Sequence, residues 1–207
     1  MNMLKVLFVI AILGHLICGY CDCLLTYIPG GKKFSFSIMS DKEAMKDAFQ
    51  HMPLQNPMRA MWLGVIAIFL FSLGYYGIYV WMMQYSELYA RIILIASIMV
   101  FVFGGAHHVI CGAAEWMFIR FHCTDESLQA VMEFFKGTII TMIGCYIGQL
   151  IVGVALFLAI ASGITSLPQW ACIFNIVLFD LILIPLHIGG AGNWSGAAMF
   201  LAFLVLI

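Results

Sequence analysis

The sequence predicts an all-α membrane protein, a polytopic bundle of about six transmembrane helices with a short amphipathic helix in its first loop. Two observations carry that prediction. Hydrophobic residues make up 64% of the 207-residue chain and charged residues 9%, with a mean hydropathy of +1.07, whereas a soluble domain carries roughly 25% charged residues. So few charges cannot cover a water-soluble surface of this size, so the lipid bilayer is the expected partner and solvent. The apolar residues also gather into six stretches close to the ~20 residues that a helix needs to cross hydrocarbon. A net charge of −1 supplies no basic patch, which argues against nucleic acid. The length suits one integral membrane domain, 1–207.

The first stretch is 4–25. A lysine at position 5 ahead of an apolar run resembles a signal peptide. The run outlasts an apolar region of roughly 7–15 residues, and no small-residue cleavage site follows, so it reads as a retained helix. Residues 26–59 form a long polar loop. Within it Ser40-Asp41-Lys42-Glu43 is a capping-box pattern. Ala44, Met45, Ala48, Phe49 and Met52 then recur at helical spacing until Pro53, predicting an amphipathic helix on the membrane surface that serves as a lid or as a connector. The next stretches are 60–82 and 90–118, followed by a shorter polar connection over 119–137. Stretches 138–164, 169–187 and 189–207 complete the set, the last being marginal in length. Gly144 and Gly148 form a G-x-x-x-G pair suited to close helix packing. The seven cysteines lack the spacing of a disulfide framework and read as small buried apolar residues.

Six spans put both long loops at one end. That end holds Lys32, Lys33, Lys42, Lys46, Arg59, Arg120 and Lys136, against Lys5 and Arg91 at the other. The bias favours a cytoplasmic loop end with both termini outside.

Ionisable groups inside spans are costly, by roughly 2.5–3.5 kcal/mol each, so they face one another or a cavity and mark function. Here they are His15 and Asp22, then His107, His108 and Glu115, then Asp180 and His187. His15 and Asp22 are seven residues apart, as are His108 and Glu115, and Asp180 and His187. Seven residues are two helical turns, so each pair shares a face. The strings His15-Leu-Ile-Cys18-Gly19-Tyr-Cys-Asp22 and His108-Val-Ile-Cys111-Gly112-Ala-Ala-Glu115 both read H-[LV]-I-C-G-x-x-[DE]. Either a helix-hairpin unit is repeated or the match is coincidence. If the three helices start level, Asp22, Glu115 and His187 form a shallow polar layer near the loop end. His15, His108 and Asp180 then form a second layer about 10 Å deeper.

Such layers suit two chemistries. Histidines with a carboxylate can bind zinc or iron and leave positions open for water or substrate; His15, His108, Asp180 and His187 are the candidate ligands. Carboxylates beside histidine can also act as general acids and bases, with Asp22, Glu115, His108 and His187 as the candidate catalytic residues. Haem ligation by His15 and His108 has no further signature. Cys18, Cys21 and Cys23 add possible soft ligands. The alternative is that the polar groups only tie helices together. His107 and His108, being neighbours, cannot both face one pocket.

The chain resembles an uncharacterised bacterial and archaeal family of small six-span membrane proteins. The resemblance rests on Gly19-Tyr-Cys-Asp22-Cys-Leu24-Leu25 closing the first span, Asn56-Pro57-Met-Arg59 opening the second, and His107-His108 in the third. It implies a fold and no reaction. It also shares ingredients with intramembrane hydrolases of the alkaline ceramidase type, but lacks their H-x-x-x-H pair in the last span and has one span fewer. The leading expectation is a membrane-embedded enzyme, a hydrolase acting on a lipid or apolar small molecule through metal ligation or through acid–base chemistry. The others are a carrier or sensor for a proton, metal ion or small ligand, and a structural or partner-binding protein.

Overall fold

The computed structural model describes residues 3–39 and 41–207. The fold is all-α apart from one two-residue antiparallel strand pair, β1 (Tyr27–Ile28) and β2 (Lys32–Lys33). Among the described residues eight α-helices follow one another: α1 (Met3–Thr26), α2 (Lys42–Phe49), α3 (Gln55–Met83), α4 (Glu87–Arg120), α5 (Asp125–Gly137), α6 (Ile140–Ala161), α7 (Ile176–Leu183) and α8 (Ala191–Leu206). Helices α1, α3, α4 and α6 are long and apolar enough to cross a membrane. Outward-facing side chains on these helices are apolar too, among them Trp62, Phe69, Ile95 and Val102, each more than half exposed.

The expected span over 169–187 is not one continuous helix. A 3-10 turn covers Gln169–Ile173, and Asn175 then breaks the run. Its side-chain oxygen caps α7 at the Val177 N–H, and its amide donates to the Gly153 carbonyl at 2.6 Å. Pro185 converts the end of α7 into a second 3-10 turn, because proline lacks the N–H that an α-helix needs there. The backbone then reverses through left-handed His187 and Gly190 into α8.

The six main helices form a closed ring. Helix α1 packs on α3 and α8, α3 on α4, α4 on α6, α6 on α7, and α7 on α8. The ring is three hairpins, α1/α3, α4/α6 and α7/α8. Its end away from the loops is solid, filled by Phe8, Phe200, Phe203, Trp81, Ile78 and Leu156, all essentially buried. Phe8 lies 5.8 Å from Phe200, and Trp81 5.6 Å edge-on from Phe203, ring centre to ring centre.

The loop end carries a cap made from both long connections. The amphipathic helix of the first loop forms as α2, capped by the Asp41 carboxylate at the Ala44 N–H; Ser40 of the expected capping box lies outside the described residues. Its apolar face does not lie free for lipid. Met45, Ala48 and Phe49 bury themselves against Phe118, Cys123 and Leu128, a contact worth roughly 1.5–3 kcal/mol for each large side chain. The partner is α5, a helix in what the sequence reading treats as a polar connection. Thr124 caps it at the Ser127 N–H, and Leu128, Val131 and Met132 face the cluster. Lys46 bridges the two helices, 2.5 Å from Asp125, and Lys32 pairs with Asp47 at 2.5 Å. The Lys46 ammonium holds the Asp125 carboxyl below the usual carboxylate range.

Candidate functional site

Between the solid end and the cap, the ring encloses a cavity of about 660 Å³, within the ~300–1,000 Å³ range of ligand pockets. It is lined by His15, Cys18 and Asp22 from α1, Phe71 and Tyr75 from α3, and His107, His108, Cys111 and Glu115 from α4. Gln149 of α6, Asp180 of α7 and Asn193 of α8 close it. A second, apolar cavity of about 80 Å³ lies under the cap between Met45, Phe118 and Phe135, and Cys111 and Glu115 border both.

Its centre is a chain of polar contacts across the ring. His108 donates from Nε2 to the Ala60 carbonyl of α3 at 3.0 Å. That bond fixes the tautomer of the neutral ring, so the Nδ1 lone pair faces the cavity. Asp22 Oδ1 lies 3.6 Å from that Nδ1, beyond the ~3.2 Å limit of an N–H···O bond. Two acceptors facing across such a gap repel unless a positive centre, proton or cation, sits between them. The second carboxylate oxygen, Oδ2, accepts from the Asn193 amide at 2.7 Å, and Asn193 Oδ1 lies 3.2 Å from His15 Nδ1. His15 forms the floor, stacked on Phe71 with ring centres 4.3 Å apart.

Both histidines fit because a facing helix offers glycine. A Cβ on Gly64 of α3 would come within 2.0 Å of the His108 ring, and one on Gly196 of α8 within 2.3 Å of His15. The glycines of the two matching strings repeat the arrangement in reverse. Gly19 takes the Trp194 ring of α8, and Gly112 takes Met61 of α3.

Four buried side-chain polar atoms have no hydrogen-bond partner among the described residues: His15 Nε2, Glu115 Oε2, Asp180 Oδ1 and Ser195 Oγ. An unpaired buried polar group costs about 1–3 kcal/mol. The other Asp180 oxygen accepts from Gln149 at 2.9 Å. His15, Glu115 and Asp180 line the main cavity.

A family model described as a family of unknown function (DUF6796) matches residues 1–204. The chain belongs to DUF6796. No curated protein matches it, and no solved structure does.

In this DUF6796 chain all the sequence-predicted site residues line one cavity, at different places in it. Asp22 and His108 meet at its centre, and His15 sits below them. Asp180 lies beside Gly192, at the level of Asn193. His187 is exposed, and its carbonyl accepts from Lys33. The expected two-layer ordering is overturned by the Asp22–His108 contact. Asp22 lies four residues from the end of α1 and His108 twelve from the end of α4. Helix α4 therefore runs some eight residues, about 12 Å, further toward the cap. Counting depth from span ends misplaced His108 because the last turns of α4 belong to the cap, where Phe118 packs on Phe49. His107 turns to α6. It lies 3.5 Å from Cys111 Sγ and 3.4 Å from the Thr141 hydroxyl, which donates to the Thr138 carbonyl. The two glycine notches were not foreseen. Their one trace in the sequence is Trp62-Leu-Gly64 and Trp194-Ser-Gly196, a shared W-x-G at the helix starts.

Proposed function

We propose that this chain is a multi-pass integral protein of a cell membrane, with α1, α3, α4 and α6 crossing the bilayer and the broken segment 169–187 and α8 completing six spans, and that its cavity hydrolyses a lipid or other amphiphilic molecule. The observation that carries this is a cavity with His, Asp and Glu side chains set in a largely apolar wall and enclosed by apolar-coated helices, closed at one end and bordered at the other by a small apolar pocket. Glu115 stands at that border. Its unpaired Oε2 suits a general base, taking a proton from a water that attacks an ester carbonyl and returning it to the alcohol that leaves as the acyl C–O bond breaks. A positive centre held between Asp22 and His108 would polarise that carbonyl. The substrate's apolar part has room under α2 and α5, and Lys33 at the mouth can meet an anionic head group.

Transport is the weaker reading, because the far half of the ring is packed solid around Phe8, Phe203 and Trp81 and offers no continuous polar path.

The test is turnover of lipid. Purified protein in nanodiscs made from a total polar lipid extract is incubated and the lipids are analysed by mass spectrometry. The expected result is a new fatty acid or other cleavage product with wild-type protein, formed at least ~100-fold more slowly by E115Q, in line with loss of a general base. Products matching empty nanodiscs, or equal rates for E115Q and wild type, would count against hydrolysis.

A further inference from the structure

We propose that Cys18, Asp22 and His108 form a binding site for one zinc-class divalent ion, with its fourth position open to the cavity. Among the described residues, these three form the one group of His, Cys, Asp and Glu side chains whose donor atoms all lie within 4.8 Å of one another. Cys18 and Asp22 are four residues apart on α1 and share a face; His108 reaches them from α4.

Four features set this trio apart from a chance cluster. The 3.6 Å between Asp22 Oδ1 and His108 Nδ1 is close to the ~3.4 Å edge of a tetrahedron with metal–ligand bonds of about 2.1 Å. His108 gives its other ring N–H to a backbone carbonyl, the outer contact that orients metal-bound imidazoles. Asp22 is held the same way, its second oxygen taken by Asn193. Gly64 leaves the imidazole its slot. The positive centre required by the facing acceptors is then the metal ion. Thiol, carboxylate and imidazole together suit zinc, cobalt or iron better than calcium or magnesium, which prefer all-oxygen sites. Binding displaces the Cys18 thiol proton to solvent, so uptake releases about one proton per ion.

This ligand set replaces three of the four candidates suggested by sequence. Among the described residues, His15, Asp180 and His187 place no donor atom within 4.8 Å of all three of these ligand atoms. The site shares its cavity with the proposed hydrolysis and rests on that reading for its use. Its existence is read by binding alone, so the two can fail separately.

The experiment is a titration of the full-length protein, in nanodiscs and stripped with chelator, using Co²⁺ as the probe. Bound metal is counted by mass spectrometry, and the thiolate-to-cobalt charge-transfer absorption is recorded. The expected result is one ion per chain, with the charge-transfer band lost in C18S and occupancy reduced at least tenfold in D22N and H108Q. C145S, altering another cavity cysteine, keeps the band. Zinc displaces cobalt. Melting curves of each variant establish that it is folded. A stoichiometry near zero for folded wild type would overturn the proposal, as would a C18S variant with an unchanged band. Lipid turnover by folded protein that binds no cobalt would overturn the metal site and leave hydrolysis standing. Bound metal without turnover would do the reverse.

Discussion

Segments 15–22 of α1 and 108–115 of α4 carry the same string of histidine, cysteine, glycine and acid, yet the ring uses them differently. In α1 the acid is held: Asp22 accepts from Asn193 and faces His108. In α4 the acid is free of partners at Glu115 Oε2, while the histidine is the anchored member, tied to Ala60. His15 and His108 each occupy a glycine notch on a neighbouring helix, one on α8 and one on α3. A longer α4 slides its copy about two turns toward the cap, so the acid of one copy meets the imidazole of the other. Two like motifs thus give one assembled centre and one spare base, through register alone.

The two copies differ most sharply in what their glycine notches hold. G64A places a Cβ on the His108 ring. It is expected to cost about 1–3 kcal/mol, as overpacking does, and to remove lipid turnover and cobalt binding by at least a hundredfold. If G64A binds cobalt like wild type, His108 does not need that slot. The acids give the next largest effect, with opposite signs on stability. D22N weakens a charge-assisted bond and should destabilise by about 1.5–3 kcal/mol. E115Q replaces an unpaired buried carboxyl by an uncharged amide of the same shape and should leave the melting temperature unchanged or raised. Equal destabilisation by both would erase the distinction between held and free acid. G196A, the matching notch of the other copy, should destabilise like G64A while reducing turnover less than tenfold, because His15 is the floor and not the centre.

The smallest effect belongs to the cap. Asp125 has its carboxyl lowered by Lys46, so its contribution is present above the ordinary carboxylate value of about 4. It is lost as the pH falls through the lowered value. K46A should flatten the acid limb of the melting profile between pH 5 and 3 only slightly, since exposed pairs contribute little and are screened by salt. A large loss at neutral pH would mean that the pair does more than close the cap.

Much of this was legible in the sequence. Hydropathy alone marked the four long helices, because each buries less than half of its most apolar window and is apolar all round. The two-turn spacing correctly grouped His15 with Asp22 and His108 with Glu115 on their helix faces. What could not be read was relative register. It depends on how far α4 extends into the cap, and that depends on α5, whose Leu128, Val131 and Met132 pattern sits among charged residues. The break at Asn175 was also hidden, because its cause is a tertiary bond to Gly153. Gly64 and Gly196 look like ordinary packing glycines until the imidazoles opposite them are placed.

Asp22 and His108, from the two copies, work as one unit. A double-mutant cycle with D22N, H108Q and the double variant, read by reversible unfolding from mixed detergent micelles, is expected to give a coupling energy of about 1–3 kcal/mol, as for residues in one polar network. Single-variant losses that simply add, within about 0.5 kcal/mol, would contradict it.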